Sequence, residues 1–142
     1  MPDSRKILII SRETTVRDET KYVLQKTGFS GFEIIFESEI ETGFAAIQKD
    51  KSILAVVTVW HNPNAYPVKP IYPAFNGRLL LESLRGHAEE RLRNIPVVVF
   101  SFDGYCRDEA RSFPRTQFVW MCTIYSASFI PAALEGLLGE QA

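Results

Sequence analysis

Lys6-Ile7-Leu8-Ile9-Ile10 and Ile95-Pro96-Val97-Val98-Val99-Phe100 decide the fold. Each carries a continuous apolar run rich in β-branched residues. A strand with one wet face alternates apolar and polar side chains, whereas an unbroken run suits a strand covered on both faces of a parallel sheet. Pro96 stands at the entry of its run, where a missing backbone donor matters least. Working outward, Phe32 to Phe36, Ile53 to Trp60 and Phe118 to Cys122 read as three further strands.

Helical patterns separate these runs. Val16, Val23 and Leu24 share one face of a helix capped by Thr14 or Thr15 and left at Gly28. Ile40, Phe44 and Ile47 predict a second helix from near Ser38. Gly77 opens a third, with Leu79, Leu80, Leu81 and Leu84 inward, running to a charged end around Glu89 to Arg93. A weaker fourth covers Asp103 to Phe113, and Ile130, Leu134, Leu137 and Leu138 stripe a last helix capped by Ser126 or Ser128. This alternation requires crossover connections, and right-handed crossovers on both faces give a doubly wound α/β fold. The expectation is a flavodoxin-like five-stranded parallel sheet in the order 2-1-3-4-5, with helices on both faces. At 142 residues the chain suits one domain, 1–142. Its one irregular stretch is a proline-rich loop insertion at 61–76, where Pro63, Pro67, Pro70 and Pro73 exclude helix and central strand.

Composition narrows the function classes. A charged fraction of 23% with a net charge of −1 leaves no electrostatic footprint for nucleic acid or an anionic membrane. Only four apolar residues separate Lys6 from Ser11, too few for a signal segment, so a cytoplasmic location is expected. Cys106 and Cys122 lack the spacing of a zinc site or a disulfide scaffold. His61 and His87 have no nucleophile elbow, glycine-rich phosphate loop or metal-ligand spacing beside them, so neither an enzyme nor a cofactor is expected.

In a doubly wound sheet, ligands and chemistry sit outside the carboxyl ends of the strands. That points to Ser11 to Glu13, Thr58 to His61, Ser101 to Asp103, and Thr123. Ile7-Leu8-Ile9-Ile10-Ser11-Arg12-Glu13, Gly77-Arg78-Leu79-Leu80-Leu81-Glu82-Ser83-Leu84-Arg85 and Ile95 to Ser101 together resemble the response-regulator receiver domains of two-component signalling, the CheY-like family. The resemblance runs over nearly the whole chain. It implies a phosphorylation pocket at the strand ends: two carboxylates holding Mg²⁺, an acceptor aspartate, a lysine and a hydroxyl. Ser11 and Arg12 stand where the acidic pair belongs, with Glu13 beside them, and Thr58 aligns with the acceptor. No Asp or Glu occurs between Asp50 and Glu82, and no lysine follows Lys69. Thr123 takes the lysine position, Ser101 keeps the hydroxyl, and Trp120 takes the place of the switch aromatic. The resemblance therefore implies a degenerate pseudo-receiver that holds no metal.

Arg12 is expected either to hold an anion or a carboxylate such as Glu13, or to fill the emptied acidic pocket with a fixed charge. The function expected is a phosphorylation-independent signalling adaptor that binds a signalling protein or a second copy of itself. Tyr105, Trp120 and Tyr125, with Tyr66 and Tyr72 of the loop, form its candidate surface. The alternative is a small-molecule or anion sensor using the space between Arg12, Thr58 and the loop.

Overall fold

β1 (Lys6–Ile10) lies between β2 (Glu33–Glu37) and β3 (Ile53–Val59), and its residues Ile7 to Ile10 have no solvent exposure. In the computed structural model, which describes residues 5–60, 76–102 and 106–139, β4 (Val97–Ser101) and β5 (Thr116–Trp120) complete a five-stranded parallel sheet. The order β2-β1-β3-β4-β5 is the one expected from the apolar runs. Beyond exposed Leu54, β3 is buried like β1, and so is β4, with Ala55, Val56, Val57, Val97, Val98, Val99 and Phe100 sealed from water. Burial of each such valine or larger side chain stabilises the fold by about 1.5–3 kcal/mol.

The helices divide between the two faces. α1 (Thr14–Gln25) packs with α6 (Ile130–Gly139) and with the 3₁₀ helix Ile124–Phe129 that leads into it. α2 (Ile40–Lys49), α3 (Gly77–Arg85) and α5 (Arg107–Arg111) are successive neighbours, α2 against α3 and α3 against α5. The predicted stripes are the buried faces, with Leu79, Phe44, Val23 and Leu138 only half-buried. Among the described residues no helix is long and apolar enough to cross a membrane.

The element boundaries differ from expectation for local reasons. Glu13, not Thr14 or Thr15, occupies the cap position of α1, and α2 begins at Ile40 after Glu39 rather than near Ser38. The third helix is broken into α3 and α4 (Glu90–Arg93): Gly86 ends the first, and His87 Nδ1 accepts the Glu89 N–H at 3.0 Å before the second. β5 starts and ends two residues earlier than Phe118 to Cys122, so Trp120 closes the strand. The last segment is capped by Thr123, not by Ser126 or Ser128 acting as caps. Of the proline-rich segment only Asn76 falls within the described residues, and its Oδ1 caps α3 by accepting the Leu79 N–H at 3.0 Å.

Arg85 ties the amino-terminal side of β5 to α4. Its guanidinium donates to the carbonyls of Pro114, Arg93 and Arg115 and to Thr116 Oγ1. Burial, with Arg115 nearby, pulls its pKa down to about 10. Arg115 turns the chain into β5 with a φ of 57°, a conformation uncommon for a residue with a side chain. At the opposite ends of the strands, Gly77 N–H donates to the Trp60 carbonyl at 2.7 Å, and a Cβ on Gly77 would stand 2.8 Å from the Trp60 ring and 3.1 Å from its Cα. Trp60 is buried, so neither partner has room to give. Gly77→Ala is expected to destabilise the chain by about 1–3 kcal/mol. Gly136→Ala in α6, where a Cβ meets nothing within 4 Å, is expected to stabilise it by about 0.5–1 kcal/mol. Equilibrium urea unfolding of the two variants checks both signs.

Candidate functional site

The carboxyl ends of β1, β3 and β4 bring three hydroxyl residues to one edge of the sheet. Ile10 pairs with Thr58 and Thr58 with Val99, so Ser11, Thr58 and Ser101 stand on adjacent strand ends. All three are buried. Ser11 Oγ accepts the Glu13 N–H at 3.1 Å, which turns the chain into α1. Thr58 Oγ1 donates to the Val59 carbonyl at 3.0 Å. Such local bonds satisfy hydroxyls where a ladder ends.

Arg12 does not pair with Glu13. It donates through Nε to Glu39 Oε1, with Nη2 in ion-pair contact with the same oxygen, and Glu39 is the residue on which α2 begins. Both side chains are about one third exposed. Glu13 itself is exposed at the cap of α1. Thr123 is likewise exposed and committed elsewhere: its Oγ1 accepts the Tyr125 N–H at 3.2 Å, while its own N–H donates to Ser126 Oγ at 3.3 Å. The candidate residues thus separate into a buried hydroxyl group, an arginine joined to α2, and a threonine used as a cap.

This set does not fit a magnesium ion. Hard cations require several oxygen ligands, carboxylates foremost, and the β1 turn offers a seryl hydroxyl engaged with backbone, a guanidinium, the Glu39 carboxylate that this guanidinium already holds, and the outlying Glu13 carboxylate. Among the described residues no cluster of three or more His, Cys, Asp or Glu could hold a metal.

The surface beside these ends is aromatic. Trp120 is 54% exposed, and its indole N–H donates to the Phe102 carbonyl at 3.2 Å. Phe102, Tyr125 and Phe129 are exposed as well. Of the candidate surface residues Trp120 and Tyr125 are exposed, while Tyr105, Tyr66 and Tyr72 lie outside the described residues. Phe102 falls in the strand-end stretch Ser101 to Asp103 that the sequence marked, whereas sequence reasoning missed Glu39 and Phe129. Glu39 lies 27 residues from Arg12, and no local pattern announces a pair across that separation.

No family model matches the sequence, and no curated protein matches it. Solved structures do match in fold. A response regulator receiver protein from Sinorhizobium medicae superposes with a TM-score of 0.74 at 17% identity, over 100% of both chains. A putative response regulator from Chloroflexus aurantiacus gives 0.70 at 14% identity, covering 96% of this chain and 98% of that one. The chemotaxis response regulator CheY4 of Vibrio cholerae gives 0.67 at 13% identity, covering 94% and 98%. The chain has the CheY-like receiver fold.

Because a guanidinium stands in the turn after β1 and already holds the Glu39 carboxylate, isothermal titration with Mg²⁺ or Mn²⁺ at millimolar concentration is expected to give no heat above dilution. Saturable heat that disappears in Glu13→Ala would contradict this.

Proposed function

We propose that the chain is a degenerate receiver acting as a phosphorylation-independent interaction module, which binds a signalling protein or a second copy of itself. The observation that carries this reading is the contrast between the two parts of the strand-end surface. The part at β1 and β3 is closed by buried Ser11 and Thr58 and by Arg12 neutralised on Glu39. The part at β4 and β5 is open and carries exposed Phe102 and Trp120, with Tyr125 on the 3₁₀ helix that follows β5. Phosphoryl transfer to a carboxylate needs an acceptor and a cation to offset the charge on both reactants, and neither is provided at the first part. Protein recognition needs desolvatable aromatic surface held in few conformations, which the second part offers.

The sensor alternative has less support. An anion entering beside Arg12 must displace Glu39, and the hydroxyls beyond are buried and locally engaged.

Incubation with acetyl phosphate and Mg²⁺ followed by intact mass is expected to show no phosphoryl gain. Trp120→Ala is expected to weaken binding of a co-purified partner by about 1 kcal/mol or more. Thr58→Ala, checked to be folded, is expected to leave it nearly unchanged. A more damaging Thr58→Ala would reject the adaptor in favour of the sensor.

A further inference from the structure

Leu54 is 38% exposed although it belongs to β3, the central strand of the sheet, whose other residues are all buried. A leucine open to water on a central parallel strand is unusual, because the flanking helices normally seal both faces. Leu54 lines an open cleft of about 370 Å³ at the amino ends of β3 and β4. The hydroxyl group and the aromatic surface lie at the other end of the sheet. Buried Ile53, Ile95 and Pro96 make the floor of the cleft, and half-buried Leu138, in the last turn of α6, adds a second open apolar side chain.

The polar rim comes from α4 and the residue that follows it. Arg91 lines the cleft but is engaged within the chain, through Nε with Glu89 Oε1 at 3.3 Å, Nη1 with the Ile53 carbonyl at 3.1 Å and Nη2 with the Ile47 carbonyl. Glu90 is exposed, and among the described residues no cation lies within ion-pair distance of it. Asn94 Nδ2 donates to the Glu90 carbonyl at 3.0 Å, which leaves Oδ1 as an acceptor at the same rim. Arg115 donates to the carbonyls of Asn94 and Leu137 and does not line the cleft. An apolar floor is thus joined to a carboxylate and an amide oxygen, while the one lining cation is already held.

We propose that this cleft docks a basic, apolar segment of a partner protein. A lysine or arginine of the segment sits on Glu90 and Asn94 Oδ1, and a neighbouring aliphatic or aromatic side chain packs on Leu54 and Leu138. Two acceptors, one of them ionised, complement an ammonium or guanidinium through charge-assisted hydrogen bonds, and the apolar floor takes the adjoining side chain out of water. A polypeptide segment suits an open cleft, whereas a small-molecule pocket encloses most of its ligand. The inference goes beyond the adaptor reading, because it assigns a second docking point at the opposite end of the sheet from Trp120.

The test is selection of phage-displayed random peptides on the full chain, after removal of those that also bind the Leu54→Ser/Glu90→Lys double variant. The remaining peptides are expected to carry Lys or Arg beside an apolar residue and to bind Glu90→Lys at least about tenfold more weakly than the unaltered chain. Asp18→Lys, the same charge change on an exposed part of α1, is expected to leave their affinity unchanged. Amide NMR is expected to show the binding shifts at Leu54, Asn94 and Leu138. Should the double variant not fold, Glu90→Gln serves both for the removal and for the comparison. Enrichment of acidic or wholly polar peptides, equal binding to Glu90→Lys, equal weakening by Asp18→Lys, shifts confined to Phe102, Trp120 and Tyr125, or no enrichment would overturn the site.

Discussion

Burial of β1, β3 and β4 on both faces, from Ile7 to Ile10, Ala55 to Val59 and Val97 to Ser101, is the constraint from which the remaining structure follows. A strand sealed above and below can satisfy its backbone only through neighbouring strands, and parallel neighbours require a crossover between each pair. The crossovers here are the helices, whose apolar stripes seal the faces in return. The chain therefore meets water mainly at the helix surfaces, the two edge strands and the strand ends. Only the ends gather side chains from several strands at one place, which is why Ser11, Thr58 and Ser101 become neighbours despite their separation in sequence.

What those ends can do depends on charge. A guanidinium at Arg12 would be poorly placed in the turn after β1 without a counter-charge, and Glu39 at the start of α2 supplies one. A carboxylate there also lies favourably at a helix amino terminus. The pair joins the turn after β1 to the start of α2 and removes the net charge that an anion or a metal would read. Toward β5 the balance differs: Arg107 and Arg111 line an open cleft with Phe118 and Trp120, and among the described residues Arg111 has no carboxylate within ion-pair distance while Arg107 has the exposed Asp108 at 3.8 Å. The distribution of paired and weakly paired arginines separates a closed end from an open one.

Much of this was legible in the residues. Unbroken apolar runs at Ile7 to Ile10 and Val97 to Phe100 announced buried parallel strands, and the leucines of α3 and α6 fell on the buried side. β5 was misplaced by two residues because Thr116 and Gln117 do not look like strand interior. Thr116 is nevertheless buried, with its hydroxyl donating to the Pro114 carbonyl at 2.9 Å. The break between α3 and α4 was hidden because the signal lies in a histidine nitrogen accepting a backbone N–H, which periodicity does not register. At the site, the residue types at positions 11, 12, 58 and 101 were readable, but their partners were not. The Arg12 and Glu39 contact and the meeting of α5 with β5 are tertiary facts that single-sequence spacing does not carry.

The central claim is that the strand ends do not respond to a phosphoryl group. The amide NMR spectrum of the chain, recorded with Mg²⁺ before and after addition of the phosphoryl mimic beryllium fluoride, tests it most directly. The account predicts unchanged signals for Ser11, Thr58, Ser101 and Trp120; saturable shifts at those residues would contradict it.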